Sequence, residues 1–302
     1  MEKINVGGQA VIEGVMMRAP RALAIAVRRP TGEIVVKREP AIPLSERYPM
    51  LKLPLLRGVI ALVTSLITGM RALNFSANES LVDEEEKKEE LSPLAMTGTI
   101  IVAFGFGILL FFVFPLYLTK LLQPVIGSHP LVFNLVDGLI RVIVFVAYIL
   151  VISFMADIRR VFQYHGAEHK TIFAFEAGEE LTVENVRRHS RLHPRCGTSF
   201  LLIVMVVSIL VFSFVPKAWP FIAKAGSRVI LLPLIAGISY EILKWSAKHD
   251  SSPLVRFLIT PGLALQRLTT GEPDDAQLEV AIRSMEEALA ENGGHKDDRL
   301  VV

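Results

Sequence analysis

Apolar residues run in long blocks along much of this chain instead of alternating with polar ones. A bilayer core of roughly 30 Å takes about 20 mostly apolar helical residues, and four blocks approach that length: 95–118, 138–156, 199–216 and 228–243. The first and third contain no ionisable residue, and the second begins near Arg141. The fourth is interrupted by Pro233 and carries Glu241 near its end; a membrane helix tolerates such a proline where neighbours satisfy the freed carbonyl. A fifth run, 58–70, bounded by Arg57 and Arg71, is too short to span and is expected to lie in the interface or to be re-entrant.

Two further patterns belong to water-exposed parts. Residues 23–29 and 33–38 are β-prone runs on either side of Pro30, Thr31 and Gly32, so 8–39 reads as a small β unit. Near the other end Leu278, Ile282, Met285 and Leu289 recur at helical spacing, which predicts an amphipathic helix over 275–291, stopped by Gly293 and Gly294, with a frayed tail beyond. The charge run 83–90 reads as a solvated linker. No internal repeat of solenoid type is present. The expected division is therefore a cytoplasmic β unit (1–54), an interfacial or re-entrant helix (55–75), an acidic linker (76–93), a four-helix membrane domain (94–246) with a cytoplasmic loop at 157–198, and a cytoplasmic C-terminal segment (247–302). This is an α-helical integral membrane protein with a small N-terminal β unit.

Composition agrees. The 302 residues are 52% hydrophobic and 21% charged, with a mean hydropathy of +0.47, too apolar for an ordinary soluble domain of this size. A net charge of +2 excludes an overall polybasic nucleic-acid binder and an acidic disordered chain alike. The placement of the cations is more informative than their sum. Residues 1–57 carry ten Lys and Arg, 157–198 carry seven and 244–302 carry seven, against one in 119–136 and two in 217–227. By the positive-inside rule, four spans with both termini in the cytoplasm fit this asymmetry, and Trp219 and Trp245 read as interfacial anchors. The N-terminus has no apolar core of signal-peptide type. The single cysteine, Cys196, excludes an internal disulfide framework and acts, if at all, as a thiol or a metal ligand.

Candidate chemistry concentrates after the second block. Phe162, His165, His169, Ile172 and Phe173 repeat at three- and four-residue intervals, which places both imidazoles on one face of a helix ending near Gly178. Two histidines one turn apart suit a zinc ion, and His165-x-x-Glu168-His169 is an H-x-x-E-H string in which Glu168 would polarise a metal-bound water. A second ligand group follows in His193 and Cys196, three apart around Pro194 and just before the third block. Thr182 is expected to cap a short helix leading toward it. His165, His169, His193 and Cys196 together would close a tetrahedral zinc site. If His193 or Cys196 stays outside the shell, the site is open and zinc lowers the pKa of bound water to about 7. His189, four before His193, is an alternative ligand, and Cys196 could equally be a small buried apolar residue.

Glu241 is an expensive carboxylate in an apolar block and so a functional candidate; its bland reading is a pair with Lys244 or Arg228. Glu13, in a glycine-punctuated strand, calls for a partner such as Arg18. Neither a P-loop string nor a G-x-G-x-x-G string occurs, so nucleotide binding of those types is disfavoured.

The strings GGQAVIEGVMMR (7–18), HGAEHKTI (165–172), HPRCGTSF (193–200) and PGLALQRLTTGEPDDAQLEVAI (261–282) together resemble the YqhQ-like family of bacterial multi-spanning membrane proteins, a family of unknown function described as predicted metal-dependent enzymes. The resemblance implies a place in the bacterial inner membrane. His165, His169, His193 and Cys196 lie inside these strings, whereas His129, His249 and His295 do not. Two functions are then expected to compete. One is a zinc hydrolase acting on a membrane-associated peptide or lipid-linked substrate, with Glu168 as general base. The other is a zinc-stapled scaffold whose β unit and C-terminal helix dock another membrane protein or a second copy. In either case the lipid bilayer is a partner and nucleic acid is not.

Overall fold

The computed structural model describes residues 6–42, 48–81, 93–127, 129–194, 196–216, 219–249 and 252–290. The acidic run 83–90, Gly293, Gly294 and the tail from His295 lie outside the described residues.

The N-terminal unit is a four-stranded antiparallel meander, β1 (Gly7–Val11), β2 (Gly14–Arg18), β3 (Ala22–Arg28) and β4 (Ile34–Pro40), in the order β1-β2-β3-β4. The first hairpin is a two-residue turn, because Val11 pairs with Gly14. Glu13 is therefore a turn residue with φ 49°, not the strand position expected from its apolar neighbours. Side chains alternate across the sheet, so its two faces bury different things. Val15, Met17, Ala24 and Ala26 enter one core, and Val11, Met16, Leu23, Ile25 and Val27 enter another.

The second face is covered by α1 (Leu56–Glu79). The run expected to end at Met70 continues for nine more residues, because Arg71 ends the apolar stretch without ending the helix, and the last turns rest on the sheet. There Ser76 Oγ accepts the Ile12 N–H at 3.2 Å, and Glu79 is buried against Arg29. At 24 residues α1 is long and apolar enough to cross a membrane, contrary to the expectation of an interfacial or re-entrant piece.

Next comes α2 (Pro93–Ile108), which continues through one π-helical turn (Leu109–Val113) into α3 (Phe114–Ile126), and then α4 (Pro130–Ser153). Among the described residues the helical stretches Leu56–Glu79, Ile101–Ile126 and Leu131–Ser153 are each long and apolar enough to span. The third expected span is α7 (Gly197–Ser213), whose apolar part, Phe200–Ser213, is shorter than a full crossing. The fourth is a bent pair, α8 (Phe221–Ile230) and α9 (Leu232–Lys248), which meet at 44° where Leu231 precedes Pro233; proline removes the backbone donor that would have continued α8. Large side chains such as Val102, Val151 and Ile222 are exposed on these helices, which is compatible with lipid contact.

The remaining helices are α5 (Ala156–Ala177), α6 (Val183–Arg187), α10 (Pro253–Thr269) and α11 (Asp275–Leu289). As expected, Gly178 ends α5 in the left-handed conformation and the Thr182 side chain caps α6. The α11 helix opens with a reciprocal Asp274–Gln277 capping box. It buries Leu278, Ile282 and Met285 against the first face of the sheet and against α5. The apolar face that the sequence offered to a docking partner is thus filled from within, and the two ends of the chain form one packed unit instead of two separate segments.

Candidate metal centre

The α5 helix follows α4 directly and carries the two histidines to the level of the sheet. Two close approaches hold it there. Gly271 donates its backbone N–H to the Phe162 carbonyl at 2.6 Å, and a Cβ on Gly166 would lie 2.0 Å from the Gly271 oxygen, so only glycine fits. On the other flank β1 passes directly over Glu168. A Cβ on Gly8 would lie 2.7 Å from Glu168 Cγ, and the Gly8 N–H donates to the carboxylate.

Each imidazole is oriented by a main-chain carbonyl. His165 Nδ1 lies 2.8 Å from the Thr269 oxygen and His169 Nδ1 lies 2.5 Å from the Arg191 oxygen. A carbonyl only accepts, so each Nδ1 is the donor, and in the neutral ring each Nε2 is left with its lone pair. This is the orientation that backbone carbonyls impose on metal-ligating histidines. His165 Nε2 lies 3.2 Å from Cys196 Sγ. His169 is 1% exposed, and its Nε2 is buried without a hydrogen-bond partner; such an orphaned acceptor costs free energy unless something binds it. The ligand atoms of His165, His169 and Cys196 lie within 4.8 Å of one another. Ligands about 2.0–2.3 Å from a tetrahedral zinc are themselves roughly 3.5 Å apart; the donor set N₂S suits that ion in chemistry, and the 3.2 Å between His165 Nε2 and Cys196 Sγ is close to that spacing.

Cys196 is the N-cap of α7, where Thr198 donates both its backbone N–H and, at 3.3 Å, its hydroxyl to the sulfur. It is buried, and His165 and Thr198 give its sulfur polar partners. His193 is not in the cluster. Its ring packs 4.4 Å from Phe173 and its Nε2 lies 3.6 Å from Glu176, while its backbone N–H and carbonyl are both clamped by the Gln266 amide at 2.8 Å. The structure groups three of the four expected ligand side chains, and the His193 ring lies against Phe173 instead. His189 is further out, on Glu179 at 3.0 Å.

Glu168 is buried, with a carboxylate oxygen 4.0 Å from His165 Nε2. Burial pushes its carboxyl up to about 7, against the opposing influence of His165 and of the Gly8 N–H.

The remaining candidates resolve differently. Glu13 does not meet Arg18; it accepts both Arg160 guanidinium N–H groups and, at 3.3 Å, the Tyr164 hydroxyl, tying the hairpin turn to α5. Glu241 pairs with Arg57 of α1, not with Lys244 or Arg228. Arg18 lines a cleft on the α1 side of the sheet. The sequence reading missed two groups. Gln266, Thr269 and Thr270 at the end of α10 position the metal loop, Thr270 accepting from Arg191; all three lie within the string 261–282. Asp137 and Arg141 of α4 and Arg228 of α8 form a buried cluster within the apolar helices, with Asp137 Oδ2 at 2.8 Å from Arg141 and 3.2 Å from Arg228. An acid and a base four apart inside an apolar block marked it.

The sequence model of the family described as "Protein of unknown function (DUF1385)" matches residues 53–291. The chain is 38% identical over 295 residues to "Uncharacterized protein YqhQ" of Bacillus subtilis (strain 168), covering 94% of this chain and 92% of that protein. No solved structure matches.

Proposed function

The chain belongs to the DUF1385 family of proteins of unknown function, and from that premise we propose that it is a zinc-binding membrane protein working as a metal-dependent hydrolase on a membrane-associated peptide or lipid-linked substrate. The observation that carries this reading is the buried His169 Nε2, which has no hydrogen-bond partner and shares its small cluster with His165 Nε2 and the Cys196 sulfur. His165 and His169 would hold the ion through Nε2, with the Thr269 and Arg191 carbonyls fixing the rings, and Cys196 would hold it through sulfur. Zinc, when bound, supplies Lewis acidity toward a substrate oxygen. Three protein ligands are the number found in open, catalytic sites. Glu168, held by the Gly8 N–H, is the group placed to take the proton of an attacking water and return it to the leaving group. The water's hydroxyl then ends on the acyl or phosphoryl centre and its proton on the departing group. The arginine and lysine distribution supports a site at the cytoplasmic mouth of the inner membrane, with both termini on that side.

Zinc analysis and X-ray absorption of the purified protein test this reading. Three protein ligands plus one solvent oxygen are expected; four protein ligands, with His193 as the fourth, would overturn the hydrolase in favour of a structural staple. His169→Ala and Cys196→Ala should each lower the zinc content, and unchanged stoichiometry in both would remove the site. Glu168→Gln should keep the metal and abolish complementation of a deletion strain; full complementation would refute the base role.

A further inference from the structure

A cleft of about 830 Å³ lies on the opposite side of the sheet from His165, between β2, β4, the 3₁₀ turn Pro49–Lys52, α1 and the end of α9. Its charge is one-sided. Arg18, Lys52, Arg57, Arg71 and Lys244 line it against a single acid, Glu39. Glu39 is engaged by Lys37 at 2.8 Å and Arg57 by Glu241, whereas Arg18, Lys52 and Arg71 have no ion-pair partner among the described residues. Arg18 takes its place by strand alternation: it shares a side of β2 with Met16, which packs toward α1, and not with Met17.

The α1 wall is mixed. It presents Ile60, Ala61 and Ile67 beside Thr64, Ser65 and Thr68, and carries Arg57 and Arg71 as well, in a helix long and apolar enough to cross a membrane. The cleft therefore offers two things, cations for an anion and apolar side chains on α1 for hydrocarbon. A free anion would use only the first. Basic clusters beside a membrane helix attract anionic headgroups, and here the cluster is folded into a concave site with its own apolar wall.

We propose that this cleft is a binding site for a phosphate-bearing membrane lipid, the phosphate held by Arg18, Lys52 and Arg71 and the acyl chain lying along α1 at Ile60 and Ile67. The site is independent of the metal centre, since it lies across the sheet and uses none of the metal-binding side chains.

The test uses the full-length protein, delipidated in detergent and titrated with fluorescent phosphatidylglycerol, with fluorescent phosphatidylcholine and inorganic phosphate in parallel. Saturable phosphatidylglycerol binding that weakens with salt is expected. Each cation removed should cost about fivefold in affinity, so Arg18→Gln with Arg71→Gln should lose about 25-fold. Arg18→Lys with Arg71→Lys should retain most of the binding, and Arg188→Gln, on exposed α6, should leave it unchanged. Equal binding of phosphatidylcholine would overturn the charge argument. Displacement by inorganic phosphate as effective as displacement by unlabelled lipid would make the ligand a free anion and overturn the lipid. An Arg18→Gln, Arg71→Gln protein with unchanged melting temperature and unchanged binding would remove the site. Zinc content is measured in every variant, so that loss of the metal centre is read separately.

Discussion

Replacing Asp137 by Leu leaves two guanidinium groups buried among apolar helices with their shared carboxylate gone. In the parent protein Asp137 and Arg228 are 1% exposed and Arg141 is 4% exposed. Arg141 also donates to Ser208 Oγ at 2.8 Å, and Arg228 sits 4.0 Å from the Phe212 ring centroid, so the cluster ties α4, α7 and α8 together. At 2.8 and 3.2 Å, with an effective dielectric of about 20, the two attractions amount to roughly 6 and 5 kcal/mol before desolvation. Most of that is offset by removing three charges from water. The net cost of deleting one member of such a cluster is about 3–5 kcal/mol, because what remains is charge without compensation. At about 2–4 °C per kcal/mol for a chain of this order of size, Asp137→Leu should melt roughly 6–20 °C below the parent. Tryptophan fluorescence of the detergent-solubilised protein reads this directly. The companion variant, Asp137→Leu with Arg141→Met and Arg228→Met, removes all three charges and should regain most of the loss. If Asp137→Leu melts within about 2 °C of the parent, or the triple variant is as unstable as the single one, unpaired charge is not what the cluster guards against.

Three further outcomes follow from the metal loop and the sheet. Gly8→Ala places a methyl 2.7 Å from Glu168 Cγ and should cost about 1–3 kcal/mol by overpacking, read as a lowered melt together with lost complementation. Gln266→Ala leaves the buried His193 N–H and carbonyl without their shared partner and should cost about 1–3 kcal/mol of stability, with zinc content unchanged, because His193 is not among the three clustered ligands. Ser284→Ala leaves the Met17 N–H and the Ala24 carbonyl without the hydroxyl that joins them at 3.1 and 3.0 Å; about 1–3 kcal/mol of stability should go, with zinc content unchanged.

Local periodicity made the helix of His165 and His169, its end at Gly178, the β3–β4 hairpin, the Thr182 cap and the apolar face of α11 legible in the sequence, because each depends on residues within a few positions of one another. What was not legible depends on contacts distant in sequence. The length of α1 is set by Ser76 and Glu79 meeting the sheet, and nothing near Arg71 announces that. The absence of His193 from the ligand cluster follows from a clamp by Gln266, 73 residues away. Glu13 was assigned the wrong arginine because its turn points at α5, 147 residues later. Apolar composition located the apolar helices but treated Arg141 as a boundary, whereas Asp137 and Arg228 allow it to lie inside one of them.

The sheet and α11 come from opposite ends of the chain, which bears on how the protein is made. Strands β1 to β4 are finished once Pro40 has been synthesised, yet the face carrying Val15, Met17, Ala24 and Ala26 is filled by a helix that begins at Asp275. At about 5–20 residues per second, the 234 intervening residues take roughly 12–47 s. Throughout that time this face lacks its covering helix, and every other helix is synthesised before that piece exists. Closure of the sheet is thus the last event of assembly, and a chain stalled or cut before α11 carries an open apolar face that quality-control proteases can read as unfinished.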